Sequence, residues 1–201
     1  MRKRDQQDLF TPAPLPVAAL DHAQRLACLR LIRSGNVGPV TFRELINHYG
    51  GAEAALDVLP DLARRGGRTI RICPKDRAER ELEAADRIGA TILFTIEPGY
   101  PAPLAHLDAP PPAIYVKGDT TLLSRPALAI VGSRQASAAG LTLARRFAST
   151  LGARGLVIVS GLARGIDKAV HEASLSSGTV AVLAGGLDHI YPPENAALQL
   201  S

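Results

Sequence analysis

Between residues 127 and 193 the chain reads ALAIVGSR, then LVIVSGLARGID, then GTVAVLAGGLDHIYPP: three short apolar runs, each broken at glycine beside polar or charged residues. A parallel strand buried on both faces reads as a continuous apolar run, and ligands of open α/β sheets sit beyond the C-terminal ends of such strands. Ala127 to Val131, Leu156 to Val159 and Val180 to Leu183 are therefore expected to be strands of that kind. Between them Leu141, Ala144, Phe147, Ala148 and Leu151 recur at helical spacing, as do Ile166, Ala169, Val170 and Ala173. Strand and helix alternate, which predicts a parallel α/β sheet.

The breaks are informative in themselves. They are Gly132-Ser133-Arg134, then Ser160-Gly161-Leu162-Ala163-Arg164-Gly165, then Gly185-Gly186-Leu187-Asp188. Glycine lets a backbone turn tightly and approach another group closely. Helix N-termini that follow strands carry unpaired N–H groups and partial positive charge, which favours an anion there. Arg134 and Arg164 add forked donors suited to phosphate. No GxGxxG follows the first run and no GxxxxGK[ST] occurs, so dinucleotide and P-loop chemistry are disfavoured. One glycine turn reads equally well as a plain connection; three at one sheet edge, two with arginine, favour an anion-binding edge.

These residues also carry a resemblance. AIVGSRQAS, VSGLARGIDKAVHEASL and GTVAVLAGGLDHIYPPEN, with the lead-in PGYPAPLAHLDAPPPAIYVKGD at 98–119, resemble the DNA-processing protein A family (DprA, also called Smf) over most of residues 25–195. The resemblance implies a Rossmann-like parallel sheet with helices on both faces, preceded by a small helical domain. It also implies a cytoplasmic, non-enzymatic protein that binds single-stranded DNA, protects incoming strands in natural transformation and helps load the RecA recombinase. A homodimer is implied for the full-length family member, and neither cofactor, metal nor membrane.

By the same resemblance Gly132, Ser133 and Arg134 match the first phosphate-contacting motif. Ser160, Gly161, Arg164 and Gly165 match the second, with Lys168 as a further contact, and Gly185, Gly186, Asp188, Tyr191 and Pro192 match the third. Tyr191 reads either as a stacking surface for a base or as a rigid loop anchor. Asp167 and His171 are four apart, hence on one helix face. They read as an acid/base pair or, in preference, as a first-turn carboxylate suited to the helix dipole and a packing histidine. The family's sheet continues beyond Pro-Pro-Glu-Asn, so the chain is expected to be a fragment carrying about half of that domain. The competing reading is a nucleotide-binding enzyme of the nucleoside monophosphate glycoside hydrolase type. Gly185-Gly186-Leu187-Asp188 lacks the GGGxxGxMG loop of such enzymes, and Glu172 and Glu194 stand in the wrong context for their glutamate.

Upstream, residues 1–18 read as a disordered arm with a short basic start, 19–88 as the helical domain and 89–201 as the Rossmann-like domain. Leu26, Leu29, Arg30 and Arg33 keep helical spacing up to Ser34-Gly35-Asn36-Val37-Gly38-Pro39, and Val40 to Tyr49 forms the next helix. This arrangement is similar to a helix-hairpin-helix whose turn amides hold a DNA phosphate, and equally to a sterile-alpha-motif-like domain that uses the turn for packing. Arg64, Arg65, Arg68 and Arg71 read as a solvated loop, Lys75 to Ile88 as an amphipathic helix, and Thr91 to Ile96 as a strand leading toward the sheet. Residues 125–201 hold seven Lys and Arg against four Asp and Glu, so three of the four net positive charges lie in the glycine-turn half. That is compatible with nucleic acid without specifying it. Cys28 and Cys73 form no CxxC, and with the scattered histidines they give no zinc spacing, so a reduced thiol pair is expected.

Overall fold

The computed structural model describes residues 19–67 and 69–201. The arm read at 1–18 and Arg68 lie outside them. Four helices come first: α1 (His22–Ile32), α2 (Pro39–Tyr49), α3 (Ala52–Arg65) and α4 (Lys75–Arg87). At the start of α1, Asp21 accepts from the Gln24 amide at 2.8 Å while the Gln24 side chain accepts from the Asp21 amide at 3.0 Å, a reciprocal capping box. Helix α2 stops at Gly50, whose φ of 76° is the left-handed conformation that closes a helix. Arg64 and Arg65, expected in a loop, form the last turn of α3, where cations suit the carbonyl end of the dipole.

A hairpin follows, made of β1 (Ala90–Phe94) and β2 (Ala113–Lys117), with the short helix α5 (Ala102–Ala105) in its connection. The two strands pair antiparallel, Ala90 opposite Lys117 and Phe94 opposite Ala113. The strand expected at 91–96 therefore does not lead into the parallel sheet. Its alternate residues Ala90, Ile92 and Phe94 are buried in one core with Leu29, Leu31, Phe42, Ala55 and Leu82 of the helices. The inward period-2 face of β1 is what ties it to the helical layer. Arg25 of α1 fixes that junction: its guanidinium pairs with Glu97 at 2.6 Å, donates to the Ile92 carbonyl and lies over the Phe94 ring. Glu97 in turn accepts from the Phe94 amide at 3.0 Å.

After a 3₁₀ turn at Thr120–Ser124 come β3 (Ala127–Ala129), α6 (Ala138–Gly152), β4 (Val157–Ser160), α7 (Ile166–Ser174) and β5 (Thr179–Ala181). A second 3₁₀ turn at Pro193–Asn195 leads into α8 (Ala196–Leu200). The strands are parallel in the order β3-β4-β5, with Ala127 opposite Val157 and Ile158 opposite Thr179. This is the expected strand and helix alternation. Ala144 and Ala148 of α6, Val170 of α7 and Ile158 of β4 share one small core, so both long helices cover the same face of the sheet. At the end of α6, Gly152 makes room for the turn after α7: a Cβ there would overlap the Ser177 hydroxyl.

Burial on both faces holds for β4 alone. Strand β3 is exposed along its length and β5 only half-covered, because each is an outer strand among the described residues. Val131 and Val182, expected within strands, lie beyond the ends of β3 and β5 and are 72% and 62% exposed. Phe147, one of the residues at helical spacing in α6, is 54% exposed, since Ala144 and Ala148 make the contact with α7 and the sheet.

Candidate nucleic-acid interface

The C-terminal edge of the sheet gathers the loops after β3 and β4, and they are locked to each other. Ser160, the last residue of β4, donates its hydroxyl to the Ile130 carbonyl at 2.7 Å. The Ile166 amide, at the start of α7, donates to the Ser133 carbonyl at 3.2 Å. Gly165 has a φ of 74°, and a Cβ there would overlap the Ser133 carbonyl oxygen and sit 2.8 Å from the Arg134 carbonyl. A Cβ on Gly132 would sit 2.7 Å from Ile166 Cγ1. These two glycines are therefore required by loop-to-loop contact, the close approach that only a residue without a side chain permits.

Asp167 joins the same lock. It is 6% exposed, and its two carboxylate oxygens accept from the Gly161 amide at 3.1 Å and the Gly132 amide at 3.4 Å. Two of the backbone donors expected to face an anion are thus engaged inside the protein. Both Asp167 oxygens thus accept from loop amides, and His171 Nδ1 is bonded to Thr179 Oγ1 at 2.7 Å. Burial lowers the pKa of His171, the Asp167 carboxylate pulling the other way.

Asn195 was not singled out from sequence, yet it holds the second loop. It is buried and its amide nitrogen donates to the Leu162 carbonyl at 2.8 Å and the Ala163 carbonyl at 3.2 Å. Leu162 needs the support: it is buried at a φ of 56°, a region costly for a branched side chain. No motif at sequence level marks that service, since the partner lies more than thirty residues away.

The charges stand outside this lock. Arg134 is exposed on the first loop, with the Ser133 hydroxyl accepting from the Gln135 amide at 3.1 Å to shape the turn. On the second loop Arg164 meets Glu194 at 2.6 Å, and Lys168 lies 3.8 Å from Glu172 on α7. The Glu194 backbone amide and then the Arg164 guanidinium hold the Glu194 carboxyl below its usual range. Exposed pairs of this kind contribute little to stability, so these cations remain available to an incoming polyanion. The third loop leaves the sheet beside the second, the Val182 amide donating to the Ser160 carbonyl at 2.8 Å, and then turns to the helical core. Gly185 and Gly186 are exposed, the His189 amide closes a turn on the Gly186 carbonyl at 3.0 Å, and Leu187 packs against the helical core. Tyr191 is exposed beside a buried Pro192.

In the helical layer the turn between α1 and α2 is engaged by its own chain. The Gly35 amide donates to the Arg71 carbonyl at 2.9 Å, and the Ser34 hydroxyl accepts from the Cys73 amide at 3.0 Å. Pro39 opens α2 without an N–H. These bonds fasten the turn of the helix-hairpin-helix to the segment before α4. Both cysteines are buried and free; burial, then Glu97, pushes the Cys28 thiol up to about 12. Among the described residues no cluster of His, Cys, Asp and Glu is arranged to hold a metal, and no helix is long and apolar enough to cross a membrane.

Residues 91–201 match the family of DNA recombination-mediator protein A, and residues 22–84 match the DprA-like N-terminal HHH domain. The chain belongs to the DNA recombination-mediator protein A family. It is 38% identical over 174 residues to the putative DNA processing protein DprA of Mycobacterium tuberculosis, an alignment covering 83% of this chain and 41% of that one. Against DNA processing protein DprA of Bacillus subtilis it is 43% identical over 102 residues, 49% of this chain and 34% of the relative. Two solved structures share the fold. DNA processing protein A of Streptococcus pneumoniae matches with a TM-score of 0.53 and 35% identity over 62% of this chain and 45% of that one. DNA processing protein A of Helicobacter pylori, described for its single-stranded DNA binding mode, matches with a TM-score of 0.50 and 33% identity over 55% and 50%. The chain spans half or less of the length of each of these family members.

Proposed function

We propose that this chain carries a single-stranded-DNA-binding edge of a DNA-processing protein that acts in natural transformation and DNA uptake. In this reading Arg134, Arg164 and Lys168 contact phosphates. Gly132, Ser160, Gly161 and Gly165 shape the loops that present them, and Ser133, Gly185 and Gly186 complete the rim. The bases are left unread, so binding is salt-dependent and weakly sequence-dependent. The edge binds without catalysis, in the cytoplasm. As part of a homodimeric whole the protein shields incoming strands and hands them to the RecA recombinase. The observation that carries the reading is the pairing of two arginine-bearing loops through the Ile166 amide and the Ser133 carbonyl, which keeps Arg134 and Arg164 on one edge. The single-stranded DNA binding described for the Helicobacter pylori relative supports it.

The test is fluorescence anisotropy of a labelled single-stranded oligonucleotide across a salt series, with duplex as competitor. The expected result is a binding constant falling with salt at a slope of roughly 0.7 per phosphate contact, with duplex failing to compete. No binding by a demonstrably folded chain would overturn the proposal.

A further inference from the structure

A carboxylate buried behind an anion-binding edge is electrostatically out of place. A phosphate drawn to Arg134 and Arg164 is repelled by any negative charge behind them, and the repulsion grows where water is excluded. Asp167 occupies such a place, with its oxygens on the Gly132 and Gly161 amides, one from each arginine-bearing loop. A carboxylate is the side chain that fits this geometry, because it accepts on both oxygens and donates on neither. Asparagine offers one acceptor and turns a donor toward the other amide; alanine leaves two buried amides unpaired, a costly state. The carboxylate is itself fixed from below. It projects from the first turn of α7, whose Val170 is packed against Ala144 and Ala148 of α6 and Ile158 of β4.

We infer that Asp167 is the positioning residue of this edge: one carboxylate, seated on α7, sets the spacing of the Arg134 and Arg164 loops and thereby the number of phosphates they engage together. The inference rests on the single-stranded-DNA reading above. It makes a prediction opposite in sign to simple charge counting. Removing a negative charge near bound phosphates ought to tighten binding; removing this one loosens it.

The experiment compares the unmodified chain with Asp167→Asn and Asp167→Glu by anisotropy on the same single-stranded oligonucleotide over a salt series. Circular dichroism establishes folding, and amide hydrogen exchange is followed at Gly132, Gly161 and Ile158. For Asp167→Asn the expected result is binding weakened roughly tenfold or more, with the salt slope lowered by about one contact. Gly132 and Gly161 lose protection while Ile158 keeps it. Asp167→Glu, at unchanged charge but with a longer reach, also weakens binding. A purely structural role would lower stability and leave the salt slope of the folded variant alone, which would overturn the inference, as would tighter binding by Asp167→Asn. Should neither variant fold, exchange in the unmodified chain decides: protection at both amides that persists on adding oligonucleotide supports the inference, and its absence, or replacement by phosphate contact, overturns it. An unmodified chain that binds no single-stranded DNA overturns the functional reading and this inference together, whereas a binding chain with a tighter Asp167→Asn overturns the inference alone.

Discussion

The helical layer with its hairpin and the parallel sheet with its two helices use buried groups for different ends. Among the described residues the first assembles eighteen buried residues into one core, whereas the second gathers four, all small or β-branched, with Val157, Leu162 and Ala169 also buried in that region. Buried polar groups divide the other way. In the helical layer the buried Glu97, paired with the half-buried Arg25, braces a strand against a helix. In the sheet Ser160, Asp167 and Asn195 gather at the strand ends and support loops. One region gets its order from burial of apolar area, the other from hydrogen bonds concentrated where its loops meet. The lesson is that a thin core can still present a well-defined edge where hydrogen bonds tie its loops together.

That contrast breaks most readily in the helical core. Phe94→Ala is expected to cost about 3–5 kcal/mol, measured by denaturant unfolding, as for a fully buried aromatic. Phe147→Ala, on the exposed flank of α6, should change stability by about 0.5 kcal/mol or less. Equal effects would show that the two regions are not built differently. Next comes Asn195→Ala, which strips the Leu162 and Ala163 carbonyls of their donor. A loss of about 1–3 kcal/mol is expected, with faster amide exchange confined to residues 160–166. If protection fell evenly across the sheet, the polar lock would not be local.

A smaller effect sharpens the comparison on the functional side. Arg134→Ala should weaken single-stranded DNA binding by about 1 kcal/mol and lower the salt slope by about one contact, while Arg64→Ala, beside Asp61 on α3, changes neither. A matching loss from Arg64→Ala would move the interface to the helical layer. The smallest effect is protonic. Because the pKa of His171 is lowered by burial, the unfolded chain takes up that proton more readily than the folded one. This contribution to stability is complete above about pH 6.5, the ordinary histidine value, and is lost as pH falls below it. Urea midpoints between pH 8 and 5 should fall more steeply for the unmodified chain than for His171→Gln.

Local pattern carried most of the fold into view. The apolar runs and helical spacings of residues 127–183 predict β3, α6, β4, α7 and β5 in order, because period and turn chemistry are properties of neighbouring residues. The destination of β1 was not legible: alternation marks a strand, and nothing within it states which sheet it joins. The exposure of Phe147 was hidden for the same reason, since helical spacing cannot say which flank a neighbour covers. At the edge, glycines and arginines were visible as residue types, but the loop-to-loop contact that Gly132 and Gly165 make was not, because their partners Ile166 and Ser133 come from the opposite loop. Asp167 reads as an ordinary first-turn acid until its partners, Gly132 and Gly161, are brought to it by the fold.

Leu187 sits two residues beyond Gly185, yet its side chain belongs to the neighbouring layer. The loop is therefore packed in part on the helical core, and a ligand that holds it still is expected to raise the melting temperature read on the helices. Heat, read on the helices, then gauges what engages this third loop.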